Sequence, residues 1–72
     1  MSYTIGEKLQ VIMKRKGLTV TELAKITHQS RQNLSRKLNL NLMTVQELYE
    51  YAEILGCRVD ILLTMTDTHE QF

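Results

Sequence analysis

Three copies of the pattern Thr-x-x-Glu constrain this chain more than any other sequence feature, because each copy marks the first turn of a helix. They begin at Thr4, Thr19 and Thr44. In such a capping box the threonine oxygen accepts a hydrogen bond from the third helical amide, and the glutamate accepts one from the backbone of the cap. Because the 72 residues include no proline and only three glycines, helix ends must be read mainly from these caps. The pattern predicts a mainly α-helical chain.

Apolar residues at helical spacing behind the first two caps predict two short helices. The first covers residues 5–16 and ends before Gly17, after three basic residues that suit a negative helix end. The second begins at Val20 and stops near Thr27, so it spans about two turns. The side chains expected to be buried are Ile5, Leu9, Ile12, Met13, Val20, Leu23, Ala24 and Ile26.

Two further helices are predicted in the middle of the chain. Ser30 can cap the third helix, and Asn39 is expected to take the left-handed conformation at its end. The fourth helix follows Thr44 and closes at Gly56. The side chains that these two helices are expected to bury are Leu34, Leu38, Val45, Leu48, Tyr51, Ala52 and Leu55.

After Gly56 the apolar residues alternate, which is typical of a β-strand. The predicted fold is therefore four short helices in residues 1–56, one strand in residues 57–66 and a flexible tail in residues 67–72. The sequence offers no equal partner strand, and a lone strand leaves its backbone groups unpaired. We expect two copies of the chain to pair these strands in an antiparallel ribbon; an ordinary core role is the alternative. The interface would consist of Val59, Ile61, Leu63 and Met65.

The formal net charge of +1 conceals an uneven distribution. Residues 1–38 contain eight Lys and Arg against two Glu, whereas residues 39–72 contain one Arg against six Asp and Glu. Such an asymmetry between halves suggests a polyanionic partner for the basic half. The composition thus favours a nucleic-acid partner more strongly than the net charge does.

Composition also argues against several classes of protein. The single cysteine excludes an intrachain disulfide, and with two scattered histidines it makes no zinc site. The chain has no Gly-rich phosphate loop and no nucleophile with an evident base, so we expect neither an enzyme nor a cofactor or metal. Because no apolar run is long enough for a membrane span or a signal peptide, we expect a cytoplasmic protein.

Residues 20–38 read VTELAKITHQSRQNLSRKL, two short helices joined by a tight turn, which is the pattern of a helix-turn-helix. The small Ala24 is expected where the two helices cross most closely. The chain resembles the lambda-repressor-like and Cro-like (XRE-type) family of bacterial and phage regulators, whose members typically read KGLTQEELA, a turn, then SRQxxS. Here KGLT stands at 16–19, ELA at 22–24, SRQ at 30–32 and Ser at 35. The resemblance covers about residues 4–56.

The resemblance implies that the third helix enters the major groove of double-stranded DNA. Arginine suits guanine and glutamine suits adenine, so the implied base readers are Arg31, Gln32 and Arg36, with Asn33 as a further candidate. Other polar residues near the two helices are expected to contact phosphates, which set register without reading sequence. These are Thr19, Thr21, Ser30, Ser35, Lys37, Asn39 and Asn41.

The turn and the start of the second helix depart from the family pattern. His28 stands where the family favours glycine, which predicts a positive φ at some steric cost. Gln29 replaces the small apolar residue that usually plugs the turn, and Val20 replaces a glutamine that often supports a phosphate contact. For that contact Thr19 and Thr21 are the available substitutes.

These features together predict a sequence-specific DNA-binding transcriptional regulator, a homodimeric repressor that covers promoter DNA at an inverted-repeat operator. One alternative is an antitoxin-type DNA-binding protein whose C-terminal strand adds to the sheet of a toxin partner. Another, from a different class, is a protein-interaction adaptor that keeps the helical fold without touching DNA. No membrane partner is expected.

Overall fold

A computed structural model describes residues 2–72, and within this range the chain forms four α-helices. These are α1 (Ile5–Lys16), α2 (Val20–Ile26), α3 (Arg31–Leu40) and α4 (Val45–Ile54). The predicted helix starts are confirmed, because Thr4, Thr19 and Thr44 each form a complete capping box and Ser30 caps α3. Even the longest described helix, α1 with 12 residues, is too short to cross a membrane.

The helix ends follow the prediction except at α3. Gly17 and Gly56 take φ values of 69° and 72° after α1 and α4. Asn39, however, stays helical, and Asn41 takes the left-handed conformation with a φ of 57°. The prediction for Asn39 was wrong because the Asn41 side chain, two residues further on, accepts a hydrogen bond from the Gly6 amide at 3.0 Å. That contact fixes the end of α3 against α1.

The core lies where all four helices meet, and most of the predicted apolar stripe is found there. Its buried members are Leu9, Met13, Leu23, Ala24, Leu34, Leu38, Tyr51, Ala52 and Leu55. Three residues expected to be buried are exposed instead, namely Ile5, Ile26 and Val45. Each occupies the first or last position of its helix. Helical spacing alone shows which side of a helix is apolar but not which positions along it are covered by other helices.

Gly6 lets α1 approach α3 more closely than any other residue type would. A methyl group on the Gly6 Cα would lie 1.9 Å from the carbonyl oxygen of Leu38 and would collide with it. The Gly6 amide also donates the hydrogen bond to Asn41. The first turn of α1 therefore packs directly on the backbone at the C-terminal end of α3.

The predicted C-terminal strand is wrong: no strand forms within residues 2–72. After Gly56, residues 57–63 have no regular secondary structure; the chain then turns at residues 66–68 and folds back, which leaves one isolated antiparallel bridge between Thr64 and Gln71. Leu63 and Phe72 exchange backbone hydrogen bonds of 3.1 and 2.8 Å. The tail of the same chain therefore forms some of the backbone hydrogen bonds that a partner strand would otherwise have formed. Flexibility of residues 67–72 stays a prediction.

Replacing Gly6 by alanine is expected to destabilise the domain by about 1–3 kcal/mol, as overpacking does. In an ordinary helix the same change stabilises by about 0.5–1 kcal/mol, so the collision with Leu38 reverses the sign. Urea unfolding followed by circular dichroism measures the difference. Lys8→Ala, at an exposed position of the same helix, is the control and should be nearly neutral. An unfolding midpoint for Gly6→Ala at or above that of the wild type would contradict the close approach.

Candidate nucleic-acid interface

The pair α2 and α3 is held by a small, fully buried contact. Leu23 and Ala24 of α2 pack against Leu34 and Leu38 of α3, and each of these side chains is at most 2% exposed. Ala24 thus fulfils the prediction of a small residue inside the helix pair. Because these residues lie on one side of α3, the packing also determines which side of α3 faces away from the domain.

The turn between the helices is tight and well bonded. His28 has a φ of 57°, which confirms the positive value predicted from the family pattern. The Gln29 amide donates a backbone hydrogen bond of 2.9 Å to the carbonyl of Ala24, closing the end of α2. Ser30 then accepts a hydrogen bond of 3.1 Å from the Asn33 amide and starts α3. The sequence Thr27–Ser30 therefore sets the angle between α2 and α3.

The four predicted base readers all lie on the exposed part of α3. Gln32 and Arg36 are one turn apart on the face opposite Leu34 and Leu38, and both are exposed. Asn33 is also exposed, at a flank of that face, whereas Arg31 is in line with Leu34 and Leu38 and is exposed as the first residue of the helix. The structure thus brings Gln32, Asn33 and Arg36 together on one surface and leaves Arg31 at the start of the helix, and the contacts of all four with bases stay a prediction.

The predicted phosphate contacts are dispersed, and most of them already have partners within the domain. Thr19 and Ser30 are caps, while Thr21 is exposed on α2. Near the end of α3, Asn39 accepts a hydrogen bond of 3.3 Å from Gln10 and donates one of 3.2 Å to Ser35. Asn41 binds the Gly6 amide. The bonds to Gln10 and to Gly6 fasten the end of α3 to α1, and contact of the predicted residues with phosphates stays a prediction.

Five polar side chains form a continuous hydrogen-bonded path that leaves α3, crosses the turn and α4, and returns to α3. We call it the polar ring; it consists of Gln29, Asn33, Lys37, Glu47 and Tyr51. Asn33 donates to Gln29 at 2.9 Å, and Gln29 donates to the Tyr51 hydroxyl at 3.0 Å. Tyr51 donates to Glu47 at 3.3 Å, and Glu47 forms an ion pair with Lys37. Since Asn33 and Lys37 are one turn apart on α3, the helix itself closes the ring.

Sequence reasoning missed the polar ring although it named each position for another reason. Tyr51 fits the buried stripe of α4, and it is indeed 0% exposed. Glu47 completes the capping box of α4 and was explained by that role alone. The one available signal was Gln29, a polar residue where the family has a small apolar one. A polar side chain in a turn that packs on the core needs buried partners, and Tyr51 provides one.

The ion pair within the polar ring has a marked electrostatic effect. The Lys37 ammonium, and next the Thr44 backbone amide, lower the pKa of Glu47 to about 2. The same hydrogen bond to Glu47 raises the pKa of Lys37. Burial is the main cause that raises the pKa of Tyr51, which keeps its hydroxyl hydrogen in place. Glu47 thus stays an acceptor and Tyr51 a donor at neutral pH.

Comparison with known protein families gives one clear result. A family model described as a Cro/C1-type HTH DNA-binding domain matches residues 8–67. The matched range includes α2, the turn, α3 and α4, and it continues into the C-terminal segment. Comparisons with curated proteins and with solved structures give no match.

The depressed pKa of Glu47 predicts a specific loss of stability in acid. The pKa of Glu47 is about 2 in the folded state against an ordinary 4.5. The ionised carboxylate therefore contributes fully to the free energy of unfolding above about pH 5, and this contribution disappears as the pH falls through 2. Glu47→Gln keeps an acceptor for the Thr44 cap but loses the charge. The side chain is 23% exposed, so we expect this variant to be about 1–2 kcal/mol less stable at pH 7 and nearly equal to the wild type at pH 2.

Urea unfolding at a series of pH values measures this difference. Glu50→Gln, at an exposed position of the same helix, is the control for loss of a negative charge. A gap between wild type and Glu47→Gln that stays constant from pH 7 to pH 2 would contradict the role of the ion pair.

Proposed function

The chain belongs to the family of Cro/C1-type HTH DNA-binding domains, and on this premise we propose that it is a sequence-specific transcriptional regulator of double-stranded DNA. It acts as a homodimer on an inverted-repeat operator and represses by covering promoter DNA. In the family the second helix of the motif is the recognition helix, which is α3 in this chain.

The observation that carries the proposal is the exposed face of α3. Gln32 and Arg36 lie on the side of the helix opposite its buried side, Arg31 is its first residue, and no described part of the chain covers these three side chains. Arginine can donate two hydrogen bonds to guanine O6 and N7, and glutamine can bond adenine N6 and N7. A rigid helix with these side chains on its free face fits the major groove of DNA.

Dimerisation is supported by the C-terminal segment. Ile61, Leu63 and Met65 are 49%, 68% and 43% exposed, an unusual concentration of apolar surface for a monomer. Within the described residues, the backbone of 58–62 makes no hydrogen bond to other backbone groups. We therefore place the dimer contact on Val59, Ile61, Leu63 and Met65. Two α3 helices about 34 Å apart would then reach successive major grooves.

Selection of bound duplexes from a random pool tests base reading. The wild type is expected to enrich an inverted repeat, with affinity that falls steeply as salt rises. Arg36→Ala should lose one guanine preference in each half-site, worth about 1–3 kcal/mol. Arg58→Ala removes an exposed positive charge from the acidic half of the chain and should keep the consensus. An unchanged consensus for Arg36→Ala would remove it from the base readers, and absence of a salt-dependent interaction would favour a protein-interaction adaptor.

Leu63→Asp tests the dimer contact, since a charge on this 68% exposed side chain should leave the monomer folded but disfavour an apolar interface. We expect sedimentation to show a dimer for the wild type and a monomer for the variant. Operator affinity should fall at least tenfold, because two half-site contacts lose their effective concentration. Thr66→Asp adds the same charge nearby and should stay dimeric. Full operator affinity in a monomeric Leu63→Asp would refute the coupling.

A further inference from the structure

We infer that the polar ring holds the Asn33 amide in one orientation, with its carbonyl oxygen turned toward the DNA, so that Asn33 selects a base bearing an amino group. Gln29 and Tyr51 are then positioning residues: they contact Asn33 directly or through one another and do not touch DNA. This inference rests on the proposed function, because it specifies how the same face of α3 distinguishes bases.

The direction of the hydrogen bonds in the ring starts at Glu47. An ionised carboxylate can only accept, and Glu47 accepts from Lys37 and from the Tyr51 hydroxyl. The one hydroxyl hydrogen of Tyr51 is therefore committed to Glu47. Toward Gln29, the Tyr51 oxygen can therefore act only as an acceptor, so the NH₂ group of Gln29 must point toward Tyr51.

A second contact gives Gln29 the same orientation. Its Nε2 also donates to Thr27 Oγ1 at 2.7 Å, while the Thr27 hydroxyl donates to the Leu23 carbonyl at 2.8 Å. Both hydrogens of the Gln29 amide thus have acceptors inside the domain. Rotating the Gln29 amide by half a turn would break both hydrogen bonds and would place its carbonyl oxygen next to the acceptor oxygens of Thr27 and Tyr51. The Gln29 oxygen therefore points outward, where it accepts from Asn33 Nδ2 at 2.9 Å.

The last link of the ring fixes what Asn33 presents. One hydrogen of its Nδ2 is committed to Gln29, and its Oδ1 accepts no hydrogen bond from the described residues. Asn33 is exposed and lies next to Gln32 and one turn before Arg36. In the major groove, adenine N6 and cytosine N4 are donors, whereas guanine and thymine present acceptors at the corresponding edge. An outward carbonyl therefore favours the amino bases on the strand that it faces.

A double comparison of protein and operator variants tests the inference. Duplex selection with the full-length wild type gives the consensus, and Asn33→Ala identifies the base pair that Asn33 reads. At that pair, a transversion of A·T to T·A, or of C·G to G·C, moves the amino group to the other strand. We expect it to weaken wild-type binding about five- to tenfold. Gln29→Met, which can bond neither Thr27, Tyr51 nor Asn33, should bind both operators within about twofold of each other. Tyr51→Phe removes one of the two contacts that orient Gln29, so its discrimination should lie between those of Gln29→Met and the wild type.

Tyr49→Phe is the matched control, because it removes the hydroxyl of an exposed tyrosine on the same helix and should keep the full discrimination. Circular dichroism confirms that each variant is folded. If Gln29→Met does not fold, Tyr51→Phe carries the test, with a partial loss of discrimination expected.

The outcomes separate the inference from the proposed function. Loss of discrimination at the Asn33 position alone supports the inference. Discrimination that the folded Gln29→Met and Tyr51→Phe variants retain in full, or affinity that falls evenly at every position, overturns it and leaves the proposed function standing. A consensus with guanine or thymine facing Asn33 also overturns it. If the wild type enriches no consensus, the proposed function fails and the inference fails with it.

Discussion

The carboxylate of Glu47 is the interaction on which the arrangement of α3 and α4 depends. One oxygen accepts a hydrogen bond from the Thr44 amide and caps α4. The other accepts hydrogen bonds from the Lys37 ammonium and the Tyr51 hydroxyl. A single side chain thereby starts one helix, fastens a second and orients a buried hydroxyl. A hydrogen-bonded network of this kind stabilises only when every member is satisfied, and no buried side-chain polar atom among the described residues lacks a partner. The local cap and the tertiary contact are therefore inseparable.

The recognition helix is held at both ends by different means, which explains how a short helix can be rigid and still have a free face. Near its start, the polar ring joins α3 to the turn and α4. Near its end, the Leu38 carbonyl packs on Gly6, and Asn41 binds the Gly6 amide. Leu34 and Leu38 fill the space between. Every one of these contacts lies on the inner side or the flank of α3, so they leave free the surface that we propose to face DNA.

The sequence predicted what local chemistry determines and failed where distant residues decide. Capping boxes place the helix starts because both partners lie within one turn, and a helix-turn-helix follows from their spacing. The strand after Gly56 was wrong because alternation shows which faces are apolar but not what pairs with the backbone, and here the chain's own tail supplies the partners for Leu63. Asn41 replaced Asn39 as the helix end because of Gly6, more than thirty residues away. The polar ring was missed for the same reason.

The size of the domain links the proposed dimer to DNA binding. A chain of 72 residues buries only about 60% of its unfolded surface and has little stability to spare. Among residues 2–72, nine apolar side chains form the buried core, whereas Ile61, Leu62, Leu63 and Met65 remain exposed along one segment. A second copy that covers this segment binds only the folded state, so association shifts folding by mass action. DNA that binds two folded copies shifts it further in the same direction. In the proposed mechanism, folding, dimerisation and operator binding thus form one coupled equilibrium, in which protein concentration acts as the regulatory signal.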